Sequence, residues 1–173
     1  MNNILSQQPY DTLIATIAST YDQGRLRAVQ AVNVQLLETY WQIGQHIVEF
    51  EQGGSSKADY GKSLIKQLST DLTLRFGKGF SRSNLIRIRQ FYLLYPKGAT
   101  LSHFFSWSHV VELLKIDDPL ERGFYEQQCT RDRWTVRELR RQKDSALFLR
   151  LAASTDKEGI LRLLELTLQE AEE

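Results

Sequence analysis

The chain has 173 residues, a mass of 20.1 kDa, 22 basic and 21 acidic side chains, a net charge of +1 and 42% hydrophobic residues. That is material for one ordinary domain or two small ones, with a core that needs no cross-links, and it excludes both a strongly basic nucleic-acid coat and an acidic disordered tail. The single cysteine, Cys129, excludes an internal disulfide, a four-cysteine zinc site and a CxxC redox pair, and the lack of bridges agrees with a reducing cytoplasm.

No run of about 18 apolar residues offers a membrane span, and the first residues lack the basic flank and apolar stretch of a signal peptide. Ten glycines and three prolines leave few helix breakers. In chain order, Tyr10, Leu13, Ile14, Ile17 and Tyr21 recur at helical spacing and predict a first helix. A second is predicted over 25–50, with Val29, Val32, Leu36, Tyr40, Ile43 and Ile47 as its buried stripe. Residues 1–53 therefore read as a helical hairpin, closed by the Gly53-Gly54-Ser55-Ser56 linker. A third helix carries Leu64, Ile65, Leu68, Leu72 and Phe76, with Gly77 at the place of a C-terminal cap.

The following helix starts are marked by capping residues. Ser81 precedes a run with Leu85, Ile88, Tyr92 and Tyr95 that Pro96 ends, and Ser106 precedes Trp107, Val110, Val111 and Leu114. Asp118, Pro119 and Glu121 stand as N-cap, first helical residue and capping acid. Thr135 and Glu138 form a further capping box with Trp134 and Leu139 at staple positions, and Thr155 with Glu158 opens a leucine-rich last helix. The expected fold is all-α with several helices, leaving room only for a short extended piece at 99–105. The expected units are 1–53, a helical domain over 57–152, and a C-terminal helix over 155–173.

The near-neutral total hides segregation. Residues 72–111 hold Arg75, Lys78, Arg82, Arg87, Arg89 and Lys97 and no acid, and residues 131–150 carry a net +4, whereas 1–52 is −3 and 151–173 is −4. Basic charge concentrated in one block suits a phosphate-facing surface. The competing reading is a solvated face whose cations pair with the acidic segments.

The block coincides with a helix, a break at Gly77-Lys78-Gly79-Phe80, and a second helix capped by Ser81. Two amphipathic helices joined by a short glycine-containing turn are the pattern of a helix-turn-helix, whose second helix offers its first residues to base edges. Those residues are Ser81, Arg82, Ser83, Asn84 and then Arg87. Arginine can pair with guanine, asparagine with adenine, and serine with phosphate or base. Lys78, Arg75, Arg89 and Lys97 would add phosphate affinity. An ordinary capped hairpin, with Ser81 and Asn84 serving only the cap, remains the alternative.

The order of motifs resembles the amino-terminal domain of YhcG-like proteins. It runs through Tyr40-Trp41-Gln42-Ile43-Gly44, Tyr60-Gly61-Lys62, Phe76-Gly77-Lys78-Gly79-Phe80-Ser81, Arg89-Gln90-Phe91-Tyr92, Ser106-Trp107-Ser108-His109 and Trp134-Thr135-Val136-Arg137-Glu138-Leu139. The resemblance covers roughly residues 10–155. It implies a bacterial targeting or assembly domain, joined in full-length relatives to a C-terminal PD-(D/E)XK nuclease domain. Such a nuclease core needs an acid on one strand and an (Asp/Glu)-x-Lys pair on the next, to hold a metal and activate water. Here Asp117-Asp118-Pro119 starts a helix and Asp156-Lys157-Glu158 lies in a helix cap, so no enzyme activity, cofactor or metal is expected of this chain. Segment 81–139 is also similar to the ParB-type helix-turn-helix region, through Ser81-Arg82-Ser83-Asn84-Leu85, His109 with Leu113-Leu114, and Thr135-Val136-Arg137-Glu138-Leu139. That similarity implies Arg82, Ser83, Asn84 and Arg87 near DNA.

Other chemistry is poorly supported. His46, His103 and His109 lack metal-ligand spacing with one another or with Cys129. Neighbours as close as Ser106 and His109, without an acidic orienter, do not make a triad. Trp41, Trp107 and Trp134 read as core. The leading expectation is a non-catalytic domain that binds double-stranded DNA. A helical module for oligomerisation, or for docking to a C-terminal nuclease domain, is the second, suggested by surplus apolar positions on several helices.

Overall fold

The computed structural model describes residues 7–53, 58–95 and 104–153. Among these, seven α-helices and no strand occur: α1 (Gln7–Gly53), α2 (Ala58–Phe76), α3 (Arg82–Leu94), α4 (Trp107–Leu113), α5 (Pro119–Asp132), α6 (Val136–Asp144) and α7 (Leu147–Ala153). The fold is all-α. Most of the short extended piece expected at 99–105 and the whole leucine-rich helix at 155–173 lie outside the described residues.

The N-terminal hairpin is not formed. Its two expected helices are one 47-residue helix, α1. The span between the two expected helices, 22–24, contains one glycine and no proline. A helix-interior glycine costs about 1 kcal/mol, too little to interrupt a run of good helix formers. Val29 and Val32, expected in the buried stripe, are 58% and 66% exposed. Burial begins only at Leu37 and continues through Gly44, Ile47 and Val48.

This C-terminal half of α1 packs along α3 and joins two cores. In the larger, Leu37 meets Phe91 of α3, Val110 and Leu113 of α4, Phe124, Tyr125 and Cys129 of α5, and Leu139 of α6. In the smaller, Ile47 meets Ile65 of α2 and Leu85 and Ile88 of α3. All three tryptophans border the larger core, as expected of them. Trp107 reaches both, stacking edge-on against Tyr40 and Phe91 at 4.7 and 5.7 Å. Cys129 is fully buried, and burial, reinforced by nearby Glu126, pushes its thiol up to about 12.

The N-caps read at Asp118 and Thr135 are in place, but the box at Thr135 is only half formed, because the Glu138 carboxylate accepts from Arg141 and Gln142 instead. The Asp118 carboxylate accepts from Leu120 and Glu121 N–H with Pro119 as the first helical residue, and Thr135 Oγ accepts from Glu138 N–H. At Ser106 the capping box is completed by His109, whose Nδ1 accepts from Ser106 N–H at 3.2 Å. The opposite ring nitrogen, Nε2, lies 3.0 Å from the Trp134 carbonyl and therefore carries the proton. Burial holds the His109 pKa below its ordinary value, against the opposing pull of that carbonyl.

No helix among the described residues is long and apolar enough to cross a membrane. Where α1 and α2 diverge they flank an open apolar groove of about 560 Å³, lined by Ile43, Phe50, Leu64, Leu68, Phe76 and Phe80 among others.

Candidate nucleic-acid interface

The unit formed by α2, the turn and α3 is built by its punctuation. Gly77 and Gly79 have φ of 81° and 125°, values that favour residues without a Cβ. Gly77 N–H closes α2 on the Thr73 carbonyl at 2.9 Å. Phe80 then turns inward, 5.8 Å from the Phe76 ring and against the smaller core. Ser81 stands as N-cap of α3, its Oγ accepting from Asn84 N–H at 3.3 Å. Leu85, Ile88 and Phe91 bury one side of α3, and the other side carries Arg82, Ile86 and Leu93 to the surface.

The residues expected to meet DNA fall into different environments. Lys78, Ser81, Arg82 and Ser83 are exposed together at the turn and the start of α3, and Arg87 is half-buried one turn on. Arg75 is exposed at the end of α2, its guanidinium 5.3 Å from the Phe76 ring centre. None of Arg75, Lys78, Arg82 and Arg87 is held in an ion pair by the described residues. Lys97 lies outside the described residues.

Two members of the expected set are engaged elsewhere. Asn84, read as a base-contacting residue, points into the fold. Its Nδ2 donates to the Gly79 carbonyl at 2.6 Å, and its Oδ1 accepts from Trp107 Nε1 at 2.9 Å. Its amide thus locks the turn to α3 and α3 to α4. Arg89, read as a phosphate contact, donates from Nε to Glu51 Oε2 of α1 at 2.6 Å, with the carboxylate side chain 18% exposed. The competing reading of the charge pattern, cations neutralised by acidic segments, therefore holds at Arg89. It also holds through most of the second basic block. Arg140 and Lys143 meet the buried Glu112, Arg141 meets Glu138, and Arg131 meets Asp132.

Two long-range bonds had no sequence signature and set the site's frame. Trp107 ties the first turn of α4 to Asn84, and His109, in that same turn, ties α4 to the residue preceding Thr135. The N-terminal ends of α3, α4 and α6 are thereby linked through side chains.

An all-α domain that braces a capped two-helix unit against one long helix, with cations at the unit's turn that no described residue pairs, is the class of protein the fold and site define. Residues 16–150 match the DUF1016 N-terminal domain, and the chain belongs to that family. It is 36% identical over 188 residues to a protein of Escherichia coli (strain K12) named "Putative nuclease YhcG", an alignment covering 90% of this chain and 49% of that protein. The chain thus spans about half the length of this relative. No solved structure matches it.

Proposed function

We propose that this chain is the non-catalytic DNA-binding part of a nuclease system, and that it docks the start of α3 against duplex DNA. The observation that carries the reading is the exposed cluster of Lys78, Arg82 and Ser83 with Arg87 behind it, without a carboxylate partner among the described residues, whereas Arg89, Arg131, Arg140, Arg141 and Lys143 are each ion-paired. Four backbone N–H groups open any helix without internal partners, and Ser81 satisfies only one here, so the same end also offers donors to a phosphate. Arg82 and Ser83 would reach base edges or the nearest phosphates in the major groove. Lys78, Arg75 and Arg87 would contact the backbone. Asn84 serves as a positioning residue. The kinship with a nuclease-named protein of about twice the length supports DNA as the ligand and agrees with a cleaving part that lies outside this chain.

Fluorescence anisotropy with labelled duplex across a salt series tests this. Affinity is expected to fall steeply as salt rises, each phosphate contact contributing about −0.9 to the log–log slope. Arg82→Ala and Lys78→Ala should each flatten the slope by about 1 if they meet phosphate. Arg82→Glu combined with Arg87→Glu should abolish binding. Duplex binding that survives this pair unchanged refutes the assignment, and stronger binding to single strands refutes the major-groove mode.

A further inference from the structure

Every residue from 8 to 29 is exposed, although this half of α1 carries Tyr10, Leu13, Ile14, Ile17, Tyr21, Leu26 and Val29. At 1.5 Å per residue the uncovered arm is about 40 Å long including the half-buried turn that follows. Most helical stability in proteins comes from burying an apolar face rather than from propensity. One face repeats at alternating steps of four and three: Tyr10, Ile14, Ile17, Tyr21, Gly24, Ala28, Ala31 and Gln35. That is the seam of a two-helix coiled coil. It is divided by size, with four bulky side chains in its first half and glycine and two alanines in its second.

We propose that the arm of α1 pairs antiparallel with the arm of a second copy of this chain, bulky half against small half. In this register Tyr10 faces Gln35, Ile14 faces Ala31, Ile17 faces Ala28 and Tyr21 faces Gly24, each pair occurring twice by symmetry. Parallel pairing would set Tyr on Tyr at one end and Gly on Gly near the middle, which no single helix separation satisfies. The antiparallel register also sets Leu13 beside Val34 and leaves Arg25 and Arg27 beside Ala18 and Thr20, so no like charges meet. The exposed parts of Tyr10, Leu13, Ile14, Ile17, Tyr21 and Val32 amount to on the order of 700 Å² per copy, close to the ~800 Å² each partner gives a standard stable interface.

Gly24 is an independent sign. A Cβ built there meets nothing within 4 Å, and its φ is not positive, so nothing among the described residues requires glycine. A helix-interior glycine nonetheless costs roughly 0.5–1 kcal/mol. A Tyr21 ring lying across it from the partner copy supplies the missing reason.

Light scattering and sedimentation of the 173-residue chain are expected to give a dimer. Ile14→Glu with Ile17→Glu should weaken association by at least roughly a hundredfold, with the tryptophan-reported unfolding of the core unchanged, because the arm lies outside both cores. Gly24→Ala gives the opposite sign to a structural role. It raises the helix propensity of a free arm, yet weakens the dimer. For orientation, Ile14→Cys mixed with Ala31→Cys should form a cross-linked heterodimer under oxidation, whereas Ile14→Cys alone should not. The native Cys129 is buried and does not compete. A monomeric parent chain, a dimer indifferent to these substitutions, or an Ile14→Cys self-cross-link would each overturn the proposal.

Discussion

Gly44 is the position where α1 and α3 come closest, and adding one methyl group there tests how the site is held. A Cβ at Gly44 would sit 2.5 Å from the Ile88 carbonyl oxygen and 2.8 Å from Tyr92 Cβ. Carbon and carbonyl oxygen ordinarily approach no closer than about 3.3 Å, so α3 must retreat by roughly 0.8 Å. The obstacle is backbone and a Cβ, which cannot rotate away. Ile88 and Phe91 are 0% exposed and belong to the two different cores, so the retreat loosens both. A radial gap of about 0.5–1 Å forfeits a quarter to a half of each dispersion contact. It also strains the bond from Trp41 Nε1 to the Tyr95 carbonyl, now 2.7 Å, and the edge-on contact of Trp41 with Tyr92 at 5.0 Å. Overpacking of this kind costs about 1–3 kcal/mol or more, against at most about 1 kcal/mol gained from replacing glycine by alanine in a helix. Gly44→Ala is therefore expected to lower stability by about 2 kcal/mol. Urea denaturation followed by tryptophan fluorescence would read this as a lower midpoint at unchanged slope. An unchanged or raised midpoint would show that the two helices are not in contact here, and the frame that presents α3 would fall with it.

Asn84→Ala removes an acceptor from Trp107 and a donor from Gly79 and should destabilise the fold by about 1–3 kcal/mol in thermal or urea unfolding. A variant with native stability and lost duplex binding would instead return Asn84 to the recognition surface. Burial pushes the Glu112 carboxyl upward, but bonds from Lys115 and Arg140 and the charge of Lys143 outweigh it and hold its pKa at about 2, below the usual 4.5. Because the folded value is depressed, the carboxylate contributes on the order of 3 kcal/mol above about pH 5, lost progressively as pH falls towards 2. Glu112→Gln should flatten stability over that window, and a parent chain whose stability is flat there would contradict the burial of this charge.

The fold was legible in the sequence where local chemistry decides it. Ser81, Asp118 and Thr135 cap helices because a side-chain oxygen three residues or fewer from an open N–H needs no tertiary help. Tyr40-Trp41-Gln42-Ile43-Gly44 was legible as a motif, and the structure gives its physics. Tyr40 meets Trp107, Trp41 binds the end of α3, Ile43 enters the smaller core and Gly44 admits the α3 backbone. What stayed hidden depends on distant partners. Periodicity identifies an apolar face without saying what covers it, so Val29 and Val32 read as buried although they are exposed among the described residues. α1 reads as two helices in the sequence because periodicity alone does not say whether two apolar runs, 10–21 and 29–47, share one helix. Arg89 read as free because its partner, Glu51, is 38 residues away, and Asn84 read as a recognition residue because its partner, Trp107, is 23 away.

The start of α3 departs from the charge pattern that α5 and α6 follow. An α-helix concentrates partial positive charge at its N-terminus, and acids in the first turn are favourable there by about 0.3–1 kcal/mol. α5 and α6 obey, with Glu121 and Glu138 in their first turns. α3 has no acid in its first turn and opens on Arg82, with Lys78 in the turn before it. Each cation is placed against the local field, and neither is ion-paired to a carboxylate among the described residues. Violations of local preference without an internal compensation mark positions where something outside the chain completes the balance. On the proposed reading the completing charge is negative, reaches an exposed helix start, and meets several cations spaced along a turn and a helix. A polyphosphate backbone satisfies all three conditions, whereas a single carboxylate side chain of a partner satisfies only the first two.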